Sequence, residues 1–162
     1  MRTETTEPRP KRALDRNEGR KSPNWALFTT LKVWGREGEG LYMHRLRIVQ
    51  TPWFGVYLHR IYRPDADRAL HDHPWPFVSL VLFGWYEEVV PDDEKKPCQS
   101  WLSYKVRPVR WFNRKRATEL HRIAWLSQSP VWTLVFVGRR CREWGFQTEQ
   151  GWVASSLFEG SA

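Results

Sequence analysis

Histidines are the residues of this chain whose type and spacing could bind a metal. Two of the five, His71 and His73, are separated by one residue, and His121 follows about fifty positions later, just before an apolar stretch. Successive side chains of a β-strand point to opposite faces, so residues at i and i+2 share a face, and the two imidazoles would converge. Two ligands from one strand and a third from a neighbouring strand would leave coordination positions open, as catalytic metal sites require.

Three imidazoles do not by themselves select one metal. Fe(II), Zn, Ni and Cu all accept neutral imidazole ligands. Iron would suit chemistry with dioxygen, whereas zinc or nickel would suit Lewis-acid isomerisation or hydrolysis. The sequence therefore predicts a divalent transition metal at His71, His73 and His121. The alternative for any single histidine is an ordinary hydrogen-bonding role in the core. Asp72 would face the other side of the strand as a hydrogen-bonding support.

The composition indicates what kind of domain must position these residues. The 162 residues suffice for one domain, and 11 Trp, 8 Phe and 5 Tyr supply bulky side chains that favour strands. An excess of 26 Lys and Arg over 18 Asp and Glu gives a net charge of +8, which favours anionic partners. No apolar stretch is long enough to span a bilayer, and the amino terminus lacks the hydrophobic segment of a secretory signal. We expect a soluble, cytoplasmic protein with no membrane partner.

The predicted elements are almost all β-strands. Residues 1–22, rich in charge and poor in apolar side chains, predict a disordered basic tail before a single domain at 23–162. A Ser-Pro pair followed by apolar residues at helical spacing predicts one short helix within residues 24–34. Runs rich in aromatic and β-branched residues predict strands at 41–49, 53–62, 77–89, 101–106, 121–126, 131–137 and 151–158, with turns at 91–96, 127–130 and 145–151. This pattern predicts an all-β sandwich or barrel.

The histidine segments resemble the two histidine motifs of the cupin superfamily. The resemblance rests on His71-Asp72-His73, the apolar strand after it and Leu120-His121-Arg122-Ile123, and it covers roughly residues 41–144. It implies a double-stranded β-helix, the jelly-roll barrel, with the metal inside its mouth. Most cupins add a glutamate ligand four or five residues after the histidine pair, where this chain has Phe77 and Val78. A three-histidine site is therefore implied.

In more detail, the chain resembles the three-histidine thiol dioxygenase branch of the superfamily, whose best-known member is cysteine dioxygenase. Its Ile-His-Asp-His and Leu-His-Arg-Val segments are similar to residues 70–73 and 120–123. Its carboxylate-binding arginine precedes the first histidine by a distance similar to that of Arg45. The branch's Ser-His-Tyr set has no counterpart here, because the corresponding strand reads Leu134-Val-Phe-Val137. Residues 139–146 also resemble small phage-encoded cupin-like proteins.

The resemblance implies a dioxygenase-like enzyme that uses Fe(II) on a small anionic substrate. Arg45 or Arg60 is the predicted anchor for the substrate, and His59 is a further candidate contact. A Zn or Ni isomerase or epimerase of cupin type is an alternative, distinguished by the metal that restores activity.

A second class of function comes from the basic residues. Residues 104–116 interleave six Lys or Arg with three aromatic rings, which could bind phosphates while bases stack on the rings. The alternative is a solvated strand edge, where basic residues discourage edge pairing. A non-enzymatic module that binds nucleic acid or an acidic partner through Arg114, Lys115, Arg116 and the basic tail is thus the competing prediction. A homodimer is also open, since cupins often pair through their strands.

Overall fold

The computed structural model describes residues 25–35, 40–66, 69–92 and 104–158. These residues form eleven β-strands and no helix, and so contain no helix that could cross a membrane. The strands are β1 (Ala26–Trp34), β2 (Leu41–Gln50), β3 (Gly55–Ile61), β4 (Phe77–Phe83), β5 (Tyr86–Pro91), β6 (Tyr104–Val109), β7 (Phe112–Lys115), β8 (Arg122–Leu126), β9 (Val131–Val137), β10 (Gly145–Thr148) and β11 (Gly151–Ala154).

Two antiparallel sheets build a barrel. The larger sheet has the order β1-β2-β3-β9-β4-β7, and the smaller has the order β6-β5-β8. The segment at His71 pairs with His121, directly before β8, and so adds a fourth position to the smaller sheet. From β3 onward the chain passes to the His71 segment, back to β4, across to β5 and β6, back to β7, across to β8 and back to β9. This alternation is the strand order of an eight-stranded jelly roll, which confirms the predicted all-β jelly-roll fold.

Inward-facing residues of the strands fill the barrel on both sides of the histidines. One buried cluster contains Met43, Ile61, Tyr86, Val109, Ile123 and Val131. A second contains Tyr57, Val135 and Val137, with Trp75 and Phe77 packed against it. Strand β9 contributes Val131 to the first cluster and Val135 and Val137 to the second, because residues at i and i+2 of a strand share a face. Apolar packing therefore surrounds the site and excludes water from much of it.

The predicted helix within residues 24–34 is wrong, because β1 occupies this segment. It pairs with β2 in an antiparallel ladder that runs from Ala26 opposite Gln50 to Trp34 opposite Leu41. Thr29, Thr30 and Val33 are β-branched and favour extended backbone. The spacing of its apolar residues also fits a helix, and antiparallel pairing with the next strand, β2, decides between the two.

Several predicted boundaries also differ from the structure. The predicted strand at 77–89 is two strands, β4 and β5, broken at Gly84, whose φ of 75° suits glycine. Strand β7 was not predicted, and β10 occupies most of a predicted turn. Residues 1–22 and most of the predicted turn at 91–96 lie outside the described residues. The basic tail and the domain boundary at residue 23 therefore stay predictions.

Candidate metal centre

Three histidine side chains meet inside the barrel. His71 and His73 lie in the segment before β4, and His121 lies directly before β8. The backbones of His71 and His121 exchange two hydrogen bonds, each 2.9 Å long. The Nε2 atoms of His73 and His121 are 2.8 Å apart, and one ring nitrogen from each of the three lies within 4.8 Å of the others. The structure thus brings together the three residues that the sequence selected.

The donor set suits a divalent transition metal. Two nitrogens bound at about 2.1 Å lie about 3.0 Å apart at right angles and about 3.4 Å apart in a tetrahedral site. The 2.8 Å between Nε2 of His73 and Nε2 of His121 is close to these separations, so both nitrogens could bind one ion. The ring of Phe77 packs against that of His73, with centroids 4.8 Å apart. An apolar ring therefore lies where the cupin resemblance would allow a glutamate ligand.

Glu88 lies behind His121 and is completely buried. Its carboxylate accepts hydrogen bonds from His121 Nδ1 at 2.9 Å, Asn113 Nδ2 at 3.0 Å and the Arg107 guanidinium, and Lys115 Nζ lies 3.3 Å away. Burial would raise the pKa of Glu88, but the hydrogen bond and charge of His121, together with Lys115 and Arg107, lower this pKa to about 2. Glu88 is therefore ionised at neutral pH.

An ionised carboxylate fixes the tautomer of His121. Glu88 can only accept hydrogen bonds, so Nδ1 of His121 carries a proton. The opposite ring nitrogen, Nε2, faces Nε2 of His73 at a distance of 2.8 Å. A carboxylate that orients a histidine and leaves the opposite nitrogen basic is the usual support of a metal ligand.

Burial keeps His71 and His73 uncharged at neutral pH. Desolvation lowers the pKa of His71 to about 4, against a smaller opposing effect of Asp65. Desolvation, with further contributions from His121 and His71, lowers the pKa of His73 well below its ordinary value. Metal ligands must be neutral imidazoles, so at neutral pH His71 and His73 already have the charge state that a metal requires.

Asp72 holds the segment between the two histidines from the opposite side. Its buried carboxylate accepts hydrogen bonds from the Gly145 backbone N–H at 2.7 Å and from Trp152 Nε1 at 2.9 Å, and it pairs with Arg142 at 2.6 Å. These contacts join the β10–β11 hairpin to the histidine segment. The supporting role predicted for Asp72 is confirmed.

The three histidines line a cavity of about 130 Å³ that also contains Arg45 and His59. The Nε–H of Arg45 donates to His59 Nε2 at 2.9 Å. Burial, and then the charge of Arg45, lower the pKa of His59 well below its ordinary value, so His59 is a neutral acceptor. Two of the three predicted substrate contacts therefore face the same space as the histidines. Ordinary drug-sized sites are larger, about 300 Å³ or more, so this cavity suits a small ligand.

Arg60 does not reach this cavity. His59 and Arg60 are neighbours in β3 and therefore point to opposite faces. The guanidinium of Arg60 lies over the ring of Trp132 on the outside of the sheet, 4.6 Å from its centroid. The anchor role predicted for Arg60 is not supported by this position. Lys115, predicted at a nucleic-acid surface, instead points inward to Glu88.

Sequence analysis did not identify Glu88 or its partners Arg107 and Asn113. Strand alternation was the available signal, because it places Glu88 on the same face of β5 as Tyr86, which is buried. A carboxylate on a buried face requires cationic or hydrogen-bonding partners. Those partners come from β6, β7 and the start of β8, and the register of these strands cannot be derived from local sequence.

No protein-family model matches the chain, and no curated protein matches it. Similar solved structures include FeII HppE (13% identity, TM-score 0.44, 78% of this chain and 63% of that chain). Another is a sugar phosphate isomerase from a cupin superfamily of Silicibacter pomeroyi DSS-3 (15% identity, TM-score 0.41, 75% of this chain and 82% of that chain). A third is a cupin 2 domain-containing protein from Halorhodospira halophila (20% identity, TM-score 0.39, 77% of this chain and 72% of that chain). The jelly-roll assignment of this chain rests on its own strand order.

Proposed function

We propose that the chain is a cytoplasmic, metal-dependent enzyme that binds Fe(II) through His71, His73 and His121 and oxidises a small anionic substrate with dioxygen. The convergence of three imidazoles on one side of a largely apolar cavity is the observation that carries this proposal. When bound, iron would supply open coordination positions at which substrate and dioxygen could meet.

The chain's own residues supply the rigidity that such a site needs. Glu88 fixes the ring of His121 through Nδ1. Asp72 fixes the backbone between His71 and His73 through Gly145 and Trp152. Ligands held in place by a surrounding layer of hydrogen bonds bind metal without a cost of reordering.

The position of Arg45 is the reason to propose an anionic substrate. Its guanidinium is the cation that lines the cavity, and the hydrogen bond to His59 restricts its orientation. A guanidinium can bind a carboxylate through two parallel hydrogen bonds. The apolar walls, which include Trp75, Phe77 and Val135, suit a short aliphatic body next to the anionic group.

Reconstitution with single metals tests this proposal. Metal-free protein is loaded without oxygen with Fe(II), Zn or Ni, and oxygen uptake is then measured with a panel of small thiol carboxylates. We expect uptake with Fe(II) alone. Activity of the Zn or Ni form in isomerisation, with no uptake by the iron form, would favour the isomerase or epimerase instead.

The role of Arg45 has its own matched pair of variants. Arg45→Gln is expected to raise KM about tenfold or more while metal content stays unchanged, because a charge-assisted contact to the substrate is lost. Arg140→Gln removes the same charge from an exposed position outside the strands and should leave KM within twofold. An unchanged KM in Arg45→Gln contradicts an anchor at this position.

A further inference from the structure

The larger sheet contains no acidic residue in any of its six strands. The same strands contain basic residues on both faces: Lys32, Arg45, Arg47, Arg60, Arg114 and Lys115. A strand set with cations and no carboxylates makes each face of the sheet electrically positive. The inner face contains the histidine site, so the outer face requires a separate explanation.

The register of the strands shows which side chains lie on the outer face of the larger sheet. One row across the sheet reads Lys32, His44, Arg60, Trp132 and Phe83; the next reads Thr30, Leu46, Leu58, Leu134, Leu80 and Phe112; a third reads Val56, Phe136, Val78 and Arg114. Lys32 and Arg60 therefore lie in the first row and Arg114 at the end of the third, the middle row between them is mostly apolar, and each row contains at least one aromatic ring. We call this surface the outer sheet face.

Aromatic rings on this face are open to solvent. Phe112 is 59% exposed and Phe136 is 42% exposed. Phe83, at the end of β4, is 63% exposed, and Trp111, in the turn before β7, is 81% exposed beside the same edge. Exposed rings that lie on a flat sheet surface can stack against planar partners.

The cations of the face are available to a partner. Within the described part of the chain, Lys32, Arg60 and Arg114 form no ion pair. The buried Nε of Arg60 has no hydrogen-bond acceptor among those residues, and the guanidinium carbon lies 4.6 Å from the centroid of the Trp132 ring. Their charges are thus not neutralised by the fold itself.

We propose that the outer sheet face binds single-stranded nucleic acid. Phosphates would contact Lys32, Arg60 and Arg114, while bases stack on Phe112 and Phe136, the combination by which open sheets hold single strands. A second copy of the chain fits this face poorly, because two identical positive surfaces would meet with no carboxylate to pair. The site lies on the opposite side of the sheet from the histidines and does not depend on the metal.

Fluorescence anisotropy with a labelled oligothymidylate of about 20 nucleotides and the full chain tests this proposal. We expect Phe112→Ala/Phe136→Ala to weaken binding about tenfold or more, since both rings would lose stacked bases. Arg60→Gln/Arg114→Gln should lower the slope of log affinity against log salt by about 1.4, because each single-strand phosphate contact contributes about 0.7. Thermal denaturation of each variant shows that it is folded.

A matched control distinguishes binding at the outer sheet face from non-specific attraction of the oligonucleotide to the positive charge of the whole chain. Arg139→Gln/Arg140→Gln removes the same charge from exposed residues outside the strands and should leave the slope unchanged. Equal losses in the two charge pairs would overturn the assignment, as would failure of the wild-type chain to bind at 50 mM salt. Two other results would also overturn the assignment: self-association of the chain, or binding to anionic phospholipid vesicles in place of the oligonucleotide. If Phe112→Ala/Phe136→Ala abolishes either of these, that result identifies the other occupant of the face.

Discussion

Replacing Glu88 by glutamine should destabilise the fold far more than its position in a short strand suggests. The carboxylate is completely buried and contacts three cationic or potentially cationic side chains, those of Arg107, Lys115 and His121. Its pKa falls from the ordinary 4.5 to about 2, which corresponds to about 3 kcal/mol in favour of the charged form at neutral pH. Removing one member of a buried ion pair costs about 3–5 kcal/mol, because the partner charge stays buried. We therefore expect Glu88→Gln to lower the free energy of unfolding by about 3–5 kcal/mol.

Urea unfolding followed by tryptophan fluorescence measures this loss, and the neighbouring residue provides a matched control. Glu87 points to the other face of β5 and is only partly buried, so Glu87→Gln should change stability by no more than about 0.5 kcal/mol. Metal affinity should also fall about 10- to 100-fold in Glu88→Gln alone, since a neutral acceptor holds His121 less firmly. Equal stability of the two variants would refute the inference that Glu88 balances the buried cations.

Three further predictions follow from individual contacts. Asp72→Ala should cost about 3 kcal/mol by urea unfolding, because it removes the acceptor of the Gly145 N–H and of Trp152 Nε1; a loss under about 1 kcal/mol would contradict this. Gly145→Ala should cost about 1–3 kcal/mol by the same measurement, since its Cβ would lie 2.1 Å from the Val153 carbonyl oxygen; unchanged stability would contradict it. The free energy of unfolding of the metal-free protein should fall by about 3 kcal/mol between pH 6.5 and pH 4. In this range His71, with a pKa of about 4, stays neutral in the folded protein, while the same histidine in the unfolded chain binds a proton. If the free energy of unfolding falls equally steeply in His71→Asn, other groups cause the loss.

Local alternation made the histidine cluster predictable. Residues at i and i+2 of an extended segment must share a face, so His71 and His73 had to converge if the segment was extended. The placement of His121 beside them depends on a long-range pairing that periodicity cannot supply. The resemblance to histidine motifs of known barrels supplied it, and the backbone bridge between His71 and His121 provides the physical link.

Pairing between strands, both consecutive and distant, explains what was missed. Strand β1 contains apolar residues whose spacing fits a helix as well as a strand, and only its ladder with β2 makes the extended form favourable. The buried role of Glu88 depends on Arg107 from β6 and Lys115 from β7 arriving on the same side. No local pattern specifies which residues of distant strands will face one another.

Alternation could have corrected one error without any structure. His59 and Arg60 are adjacent in a strand, so at most one of them could face a cavity. Arg45 pairs directly opposite His59 across β2 and β3, which places Arg45 in the cavity and Arg60 outside. Of the two arginines offered as alternative anchors, only Arg45 could therefore share the cavity with His59.

Elemental analysis of the purified full chain tests the central claim most directly. Wild-type protein and a His44→Ala control, altered on the outer sheet face, should each contain about one divalent transition metal ion per chain. His71→Ala/His73→Ala should contain almost none, because two of the three imidazole ligands are gone. Equal metal content in the double variant and the wild type would contradict a metal centre at these histidines.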